Sequence, residues 1–190
     1  MKEIFRRIWR LALPYQDKRD DKGHAQITLK YAEDLLRTGG DEGIVIPAII
    51  LHDTGWCRLS RKRRLVIFGD ATNKEKMSAR LQHQEEGVKV ARDILGKVGY
   101  PQKKTDEILE IISQHDTRKG FISENEGLVR DADKLWRFSE AGCEADRRRK
   151  KCSFEDHFME LSEQMQRSCF FYSKKANEIA ADELKGRHRW

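Results

Sequence analysis

The chain has 190 residues, with 38 Lys and Arg against 32 Asp and Glu and a formal net charge of +6. Hydrophobic residues at 38% and charged ones at 37% suit a soluble helical protein, and the length suits one domain over 1–190 with a core of its own. No run nears the ~18 apolar residues of a membrane span, and charges break the N-terminal MKEIFRRIWRLALP as they do not break a signal peptide, so no membrane partner is expected. The four cysteines, Cys57, Cys143, Cys152 and Cys169, lack C-x-x-C spacing and read as free thiols of a reducing cytoplasm. The basic balance favours anionic partners without choosing among nucleotide, nucleic acid and membrane surface.

In chain order, Ile4, Phe5, Ile8, Trp9 and Leu13 repeat at helical spacing. Gly23 opens a second helix with the stripe Ala25, Thr28, Leu29, Ala32, Leu35 and Leu36, stopped by Gly39-Gly40. Residues 42–54 are apolar enough for a buried strand, but Pro47 speaks against a central strand and suits an early helical turn, so a helix is expected. A long helix over 75–98 follows, then helices over 105–115, 125–139 and 154–184, with irregular, basic stretches at 57–74 and 141–153. The motif-bearing core falls at about 20–140, and 154–187 forms a helical extension.

Four of the six histidines take similar places in four helices. His24 shares a face with Thr28, Ala32 and Leu35; His52 follows Val45, Ala48 and Ile49; His83 precedes Gly87, Ala91 and Ile94; His115 follows Ile108, Ile111 and Ile112. Residues three and four apart stack on one side of a helix, so each imidazole points into the core. Asp53 and Asp133 turn inward by the same spacing. A single inward histidine is ordinarily a hydrogen-bonded core residue. Four of them beside two carboxylates, with few inward cations, instead call for a divalent cation, because unpaired buried charge is costly.

The order His24, His52-Asp53 and a later Asp in Asp-Ala-Asp-Lys-Leu, 131–135, resembles the HD-domain superfamily of metal-dependent phosphohydrolases. The similarity runs from about Gly23 to Trp136 and carries the namesake motif in LHDTG. The resemblance implies an all-α bundle with a central metal site held by His24, His52, Asp53 and an Asp of the last motif. Asp131 and Asp133 both face inward by spacing, and the family pattern Ala-Asp-Lys-Leu falls on Asp133. His83 and His115 resemble the additional pair of two-metal members, in which Asp53 would bridge the ions. Trp56 stands where many members have Lys, and DTRKGF after His115 lacks the Gly-Tyr-Pro of the cyclic-dinucleotide branch.

Two histidines and two carboxylates with open positions suit Mn, Fe, Co, Ni or Mg, one ion or two, better than a closed structural zinc. The expected reaction is hydrolysis of a small phosphate monoester or diester, a nucleotide foremost, by a metal-activated water. Anionic oxygens then need cations. Lys134, beside Asp133, is the first candidate, followed by Arg118 and Lys119 after His115 and by Arg58 and Arg61 in the basic loop after the His-Asp pair. That loop, with Lys62, Arg63 and Arg64, reads either as a lid or as a solvated surface. The run Arg147 to Lys151 reads as a solvated turn, since no nucleic-acid motif accompanies it. His157 falls on a core stripe and His188 in a tail. Two other readings stay open. One is a di-iron oxygenase of the HD type cleaving a C–C or C–P bond with O2. The other is a basic binding module with a structural metal.

Overall fold

The computed structural model describes residues 1–187, and His188 lies outside them. The described residues form ten α-helices joined by short 3-10 turns, with no strand among them. They are α1 (Glu3–Ala12), α2 (His24–Leu35), α3 (Glu42–Leu51), α4 (Arg61–Leu65), α5 (Asn73–Val98), α6 (Gln102–Gln114), α7 (Glu124–Leu135), α8 (Glu140–Lys150), α9 (Phe154–Met165) and α10 (Lys174–Arg187). The all-α bundle expected from the sequence is the fold observed. No helix among the described residues is long and apolar enough to cross a membrane.

The centre is α3, whose eight residues from Ile44 to Leu51 are all buried. A helix apolar on every side must be enclosed, and α1, α2, α6 and α7 enclose this one. Asp41 starts it by accepting from the Gly43 amide at 2.7 Å. Pro47 lies inside the helix rather than in its first turn. A proline there leaves the carbonyl four residues back without its amide partner. That carbonyl belongs to Gly43, and the Tyr100 hydroxyl donates to it at 2.7 Å. The structure thus supplies from α6's approach the bond that Pro47 removes.

The other helices begin and end on local chemistry. Thr72 and Glu75 form a reciprocal capping box at the start of α5, and Gly99 ends it with φ +66°. Ser123, Ser139 and Ser153 cap α7, α8 and α9 by accepting amide protons. Three stretches depart from the sequence reading, the first being 57–74, expected to be irregular, where Arg61–Leu65 form α4. Residues 141–150, expected to be irregular, belong to α8. The single C-terminal helix expected over 154–184 is two helices, separated by a turn with Cys169 at φ +60°. That turn is held from within: Asp131 accepts from the Tyr172 amide at 2.7 Å, the Ser173 amide at 2.8 Å and the Ser173 hydroxyl at 2.7 Å. The main core draws buried side chains from Phe5 through Leu184, so α10 packs on the same core as the motif-bearing helices.

Candidate metal centre

Helix ends deliver three of the inward histidines, and the fourth, His83, lies within α5. His24 is the first residue of α2, after Gly23 at φ +88°. His52 and His115 are the residues directly after the last turns of α3 and α6, and each turns its Nδ1 back on that turn. The partners are the Ile49 carbonyl at 2.8 Å and the Ile112 carbonyl at 2.9 Å. A neutral imidazole that donates from Nδ1 leaves Nε2 as a bare lone pair. Both Nε2 atoms face the centre of the bundle.

Two groups of ligand atoms meet there. His24 Nε2 lies 3.3 Å from His52 Nε2, and each is 3.3 Å from Asp133 Oδ1. Asp53 Oδ2 completes this group at 3.4 Å from His24 and 3.7 Å from His52. The second group is His83 Nε2 and His115 Nε2, 3.2 Å apart, each 3.6 Å from Asp53 Oδ1. One oxygen of Asp53 therefore faces each group. Cis ligands at about 2.1 Å from an octahedral ion stand roughly 3.0 Å apart, so these spacings match atoms arranged around a shared cation. Facing lone pairs repel one another, and a divalent ion is what makes such a set favourable. Each group has the ligand chemistry and the spacing to hold a divalent metal.

The charges are tightly coupled. Burial disfavours ionised His52, yet Asp53 and Asp133 overcome it and hold the imidazole up at about 9. Burial pushes His83 down to about 3, with Asp116 pulling the other way and His115 adding to the depression. Burial would raise Asp53 and Asp133, but Arg19 and His52 for the first, and His52 and His24 for the second, keep both carboxylates well below their ordinary range. Arg19 reaches this site on the loop between Gln16 and Gly23, where Asp17 and Asp20 take left-handed φ of +54° and +57°. Asp17 holds the loop by accepting from the Gly23 and Ala25 amides. The Arg19 guanidinium then bonds Asp53 Oδ2 and, at 3.2 Å, Asp21.

Trp56, the position at which many HD proteins carry Lys, donates from Nε1 to Asp53 Oδ1 at 3.0 Å. Its ring stacks on His83 at 3.9 Å between centroids with 8° between planes. One residue thus orients a ligand of each kind.

A cleft of about 410 Å³ opens onto His24 and Asp133. Lys134 lines it, but its ammonium donates to the Phe170 carbonyl and lies over the rings of Phe121 and Phe170. The other cations expected to meet substrate lie elsewhere. Arg118 is bonded to Glu126 and Glu110, Lys119 is exposed, and Arg58 sits over the Tyr15 ring beside a different cavity. Arg61 approaches Asp20 at 3.4 Å in a cavity that adjoins the cleft. The cations that do line the cleft include Arg19, Arg80, Arg137 and Arg149. Arg149 and Lys150 belong to the run that reads from sequence as a solvated turn, and Arg19 was hidden in the charge run DKRDDK. Asp116, next to His115, is also newly placed, with Oδ2 3.6 Å from His83 Nε2. Asp131 is bonded to Tyr172 and Ser173 and belongs to neither candidate group, whereas Asp133 belongs to the first.

An all-helical bundle with paired His and Asp ligand groups at its centre defines the class: a protein built around a candidate divalent-metal site. The family described as HD domain matches residues 22–137, well over half of the chain, and the chain belongs to that family. HD-domain proteins are mostly metal-dependent hydrolases. No curated protein and no solved structure matches the chain.

Proposed function

We propose that this protein is a metal-dependent phosphohydrolase acting on a small phosphate monoester or diester, foremost a nucleotide. The observation that carries the reading is the placement of the two Asp53 oxygens between two histidine groups beneath a cleft lined with arginine. His24, His52, Asp53 and Asp133 would hold one ion, and Asp53, His83 and His115 a second. When bound, such ions lower the pKa of water toward neutrality and polarise a phosphoryl oxygen.

The remaining work falls to the chain itself. Trp56 fixes the rotamers of Asp53 and His83, so the ligand set is organised before substrate arrives. Arg19, Arg80 and Arg149 supply positive charge for phosphate oxygens, and the Arg80 side chain makes no hydrogen bond or ion pair with any described residue. Lys134 gives one of its three N–H donors to the Phe170 carbonyl, and we assign the remaining donors to an anionic oxygen of the bound substrate. Ile67 and Phe68 give the cleft an apolar wall for the organic part of the substrate.

Protein purified without chelators and loaded with Mn or Co is expected to hydrolyse an aryl phosphate or a nucleotide, and Asp53→Asn to abolish turnover. A metal-replete sample that turns over nothing across a broad phosphate panel refutes the reading. The six ligand side chains equally suit a di-iron oxygenase. A mixed-valence EPR signal with substrate-dependent O2 uptake would move the assignment there.

A further inference from the structure

The cleft above the His/Asp groups has a second concavity as its neighbour. Arg149 and Phe68 line both, and the outer cavity, of about 600 Å³, also carries Lys22, Arg61 and Arg148. Its single acidic side chain is Asp20. Four cations therefore share one concavity with one carboxylate, and the low-dielectric walls concentrate their field. Asp20 pairs with Arg61 at 3.4 Å and its carbonyl accepts from Arg148 at 3.3 Å, so Arg148 and Lys22 keep their charge without a carboxylate partner among the described residues. Lys22 has no hydrogen bond or ion pair with any described residue.

Arg149 is the partition between the two spaces. Its side chain is only 7% exposed, its guanidinium lies 4.1 Å from the Phe68 ring centroid, and it is tied to Asp146 at 2.6 Å and to the Arg19 carbonyl at 3.1 Å. Its buried Nε has no hydrogen-bond partner. An unpaired buried N–H of a charged group is costly, and an anion at this position would satisfy it. Through Arg19, Arg149 is one residue removed from Asp53.

We propose that the outer cavity is a second anion subsite, which takes a non-reacting phosphate while the reacting phosphate lies in the cleft. The proposal rests on the phosphohydrolase reading and sharpens it. The substrate is a nucleotide with more than one phosphoryl group, and a simple monoester fills only the inner space. The extra group reaches past Phe68 to Arg61, Arg148 and Lys22.

The test begins with calorimetric binding of inorganic phosphate and inorganic tripolyphosphate to chelator-stripped protein, so that metal sequestration by the longer anion plays no part. Tripolyphosphate should bind at least about tenfold more tightly than phosphate, and the double variant R61Q/R148Q should lose at least about tenfold of its affinity for it. Both side chains are exposed, so the fold is not at stake, and R6Q/R10Q on α1 serves as a control of equal charge change. Equal binding by wild type and R61Q/R148Q, or an equal loss in R6Q/R10Q, overturns the subsite. With metal restored, the ratio of kcat/KM for multiply phosphorylated nucleotides to that for an aryl phosphate should fall at least about tenfold in R61Q/R148Q. Adenosine triphosphate and adenosine 3′,5′-bisphosphate separate contiguous from separated phosphoryl groups. Aryl phosphate turnover with an unchanged ratio sinks the subsite and leaves the hydrolase standing. Binding of tripolyphosphate through Arg61 and Arg148 without any phosphate hydrolysis supports the subsite and sinks the hydrolase.

Discussion

Replacing Gly55 with alanine should damage the second ligand group more than the first. Gly55 sits in the 3-10 turn Thr54–Arg58, which packs against α5. A Cβ there would lie 1.9 Å from the His83 carbonyl oxygen, 2.4 Å from the Gly87 nitrogen and 2.9 Å from the Gly87 Cα. These are backbone atoms, so no rotamer change relieves the clash. A tolerable carbon–oxygen contact of about 3.3 Å requires the turn and α5 to separate by roughly 1.4 Å. Overpacking of this kind costs about 1–3 kcal/mol when side chains can yield, and more where the backbone must move. The same displacement pulls His83 away from Asp53 and breaks the Trp56–His83 stack. G55A is therefore expected to unfold about 3 kcal/mol or more earlier in chemical denaturation. If it folds, elemental analysis of metal-loaded protein should find the His83/His115 ion lost and the His24/His52/Asp133 ion retained. Gly96 supplies the control, because a Cβ there meets nothing within 4 Å on the exposed side of α5. G96A should gain up to about 1 kcal/mol from helix propensity. If G55A is as stable as wild type and binds the same number of ions, the close approach of turn and helix is not what builds the site.

The remaining predictions concern charge and its partners. D133N should bind one ion fewer than wild type, whereas D53N, which serves both groups, should lose both by elemental analysis; equal losses would contradict the bridging placement. D131A should lower stability by about 1–3 kcal/mol, because it leaves the Tyr172 and Ser173 amides without their acceptor, and should not change metal stoichiometry. In chelator-stripped protein His52 is held at about 9, above its ordinary 6.5. The stability it contributes is thus fully present below about pH 6.5 and lost as pH rises through about 9. The Tm of metal-free protein should fall across that window, and H52Q should flatten the slope. Metal must displace the same proton, so Mn affinity should rise over the same range in equilibrium dialysis.

Much of the candidate ligand set was legible because burial imposes a period. His52 and His115 follow isoleucines at helical spacing, and that spacing places each imidazole where the helix has to turn inward. The choice of Asp133 over Asp131 was not a matter of spacing, which allowed both. It came from the family pattern, and in the structure Asp131 is committed to the turn at Tyr172 and Ser173 while Asp133 lies in the first candidate group. That turn itself left no signal: no proline or glycine interrupts residues 154–184, so a propensity reading runs one helix through it. Tertiary hydrogen bonds to α7 decide the break. The cations of the cleft were illegible for a related reason. Arg149 looks like its neighbours in RRRKK, and only the packing of α8 against the rest of the bundle singles it out as 7% exposed. Arg19 likewise depends on left-handed turns at two aspartates, which local composition does not announce.

Everything proposed for this site depends on Asp53 joining two metal ions. Crystals of Mn-loaded protein, measured at the manganese absorption edge, test it directly. Two anomalous peaks are expected on opposite sides of the Asp53 carboxylate, one contacting His24, His52 and Asp133 and the other His83 and His115. No peak at Asp53, or metal bound only by residues outside these six, would contradict it.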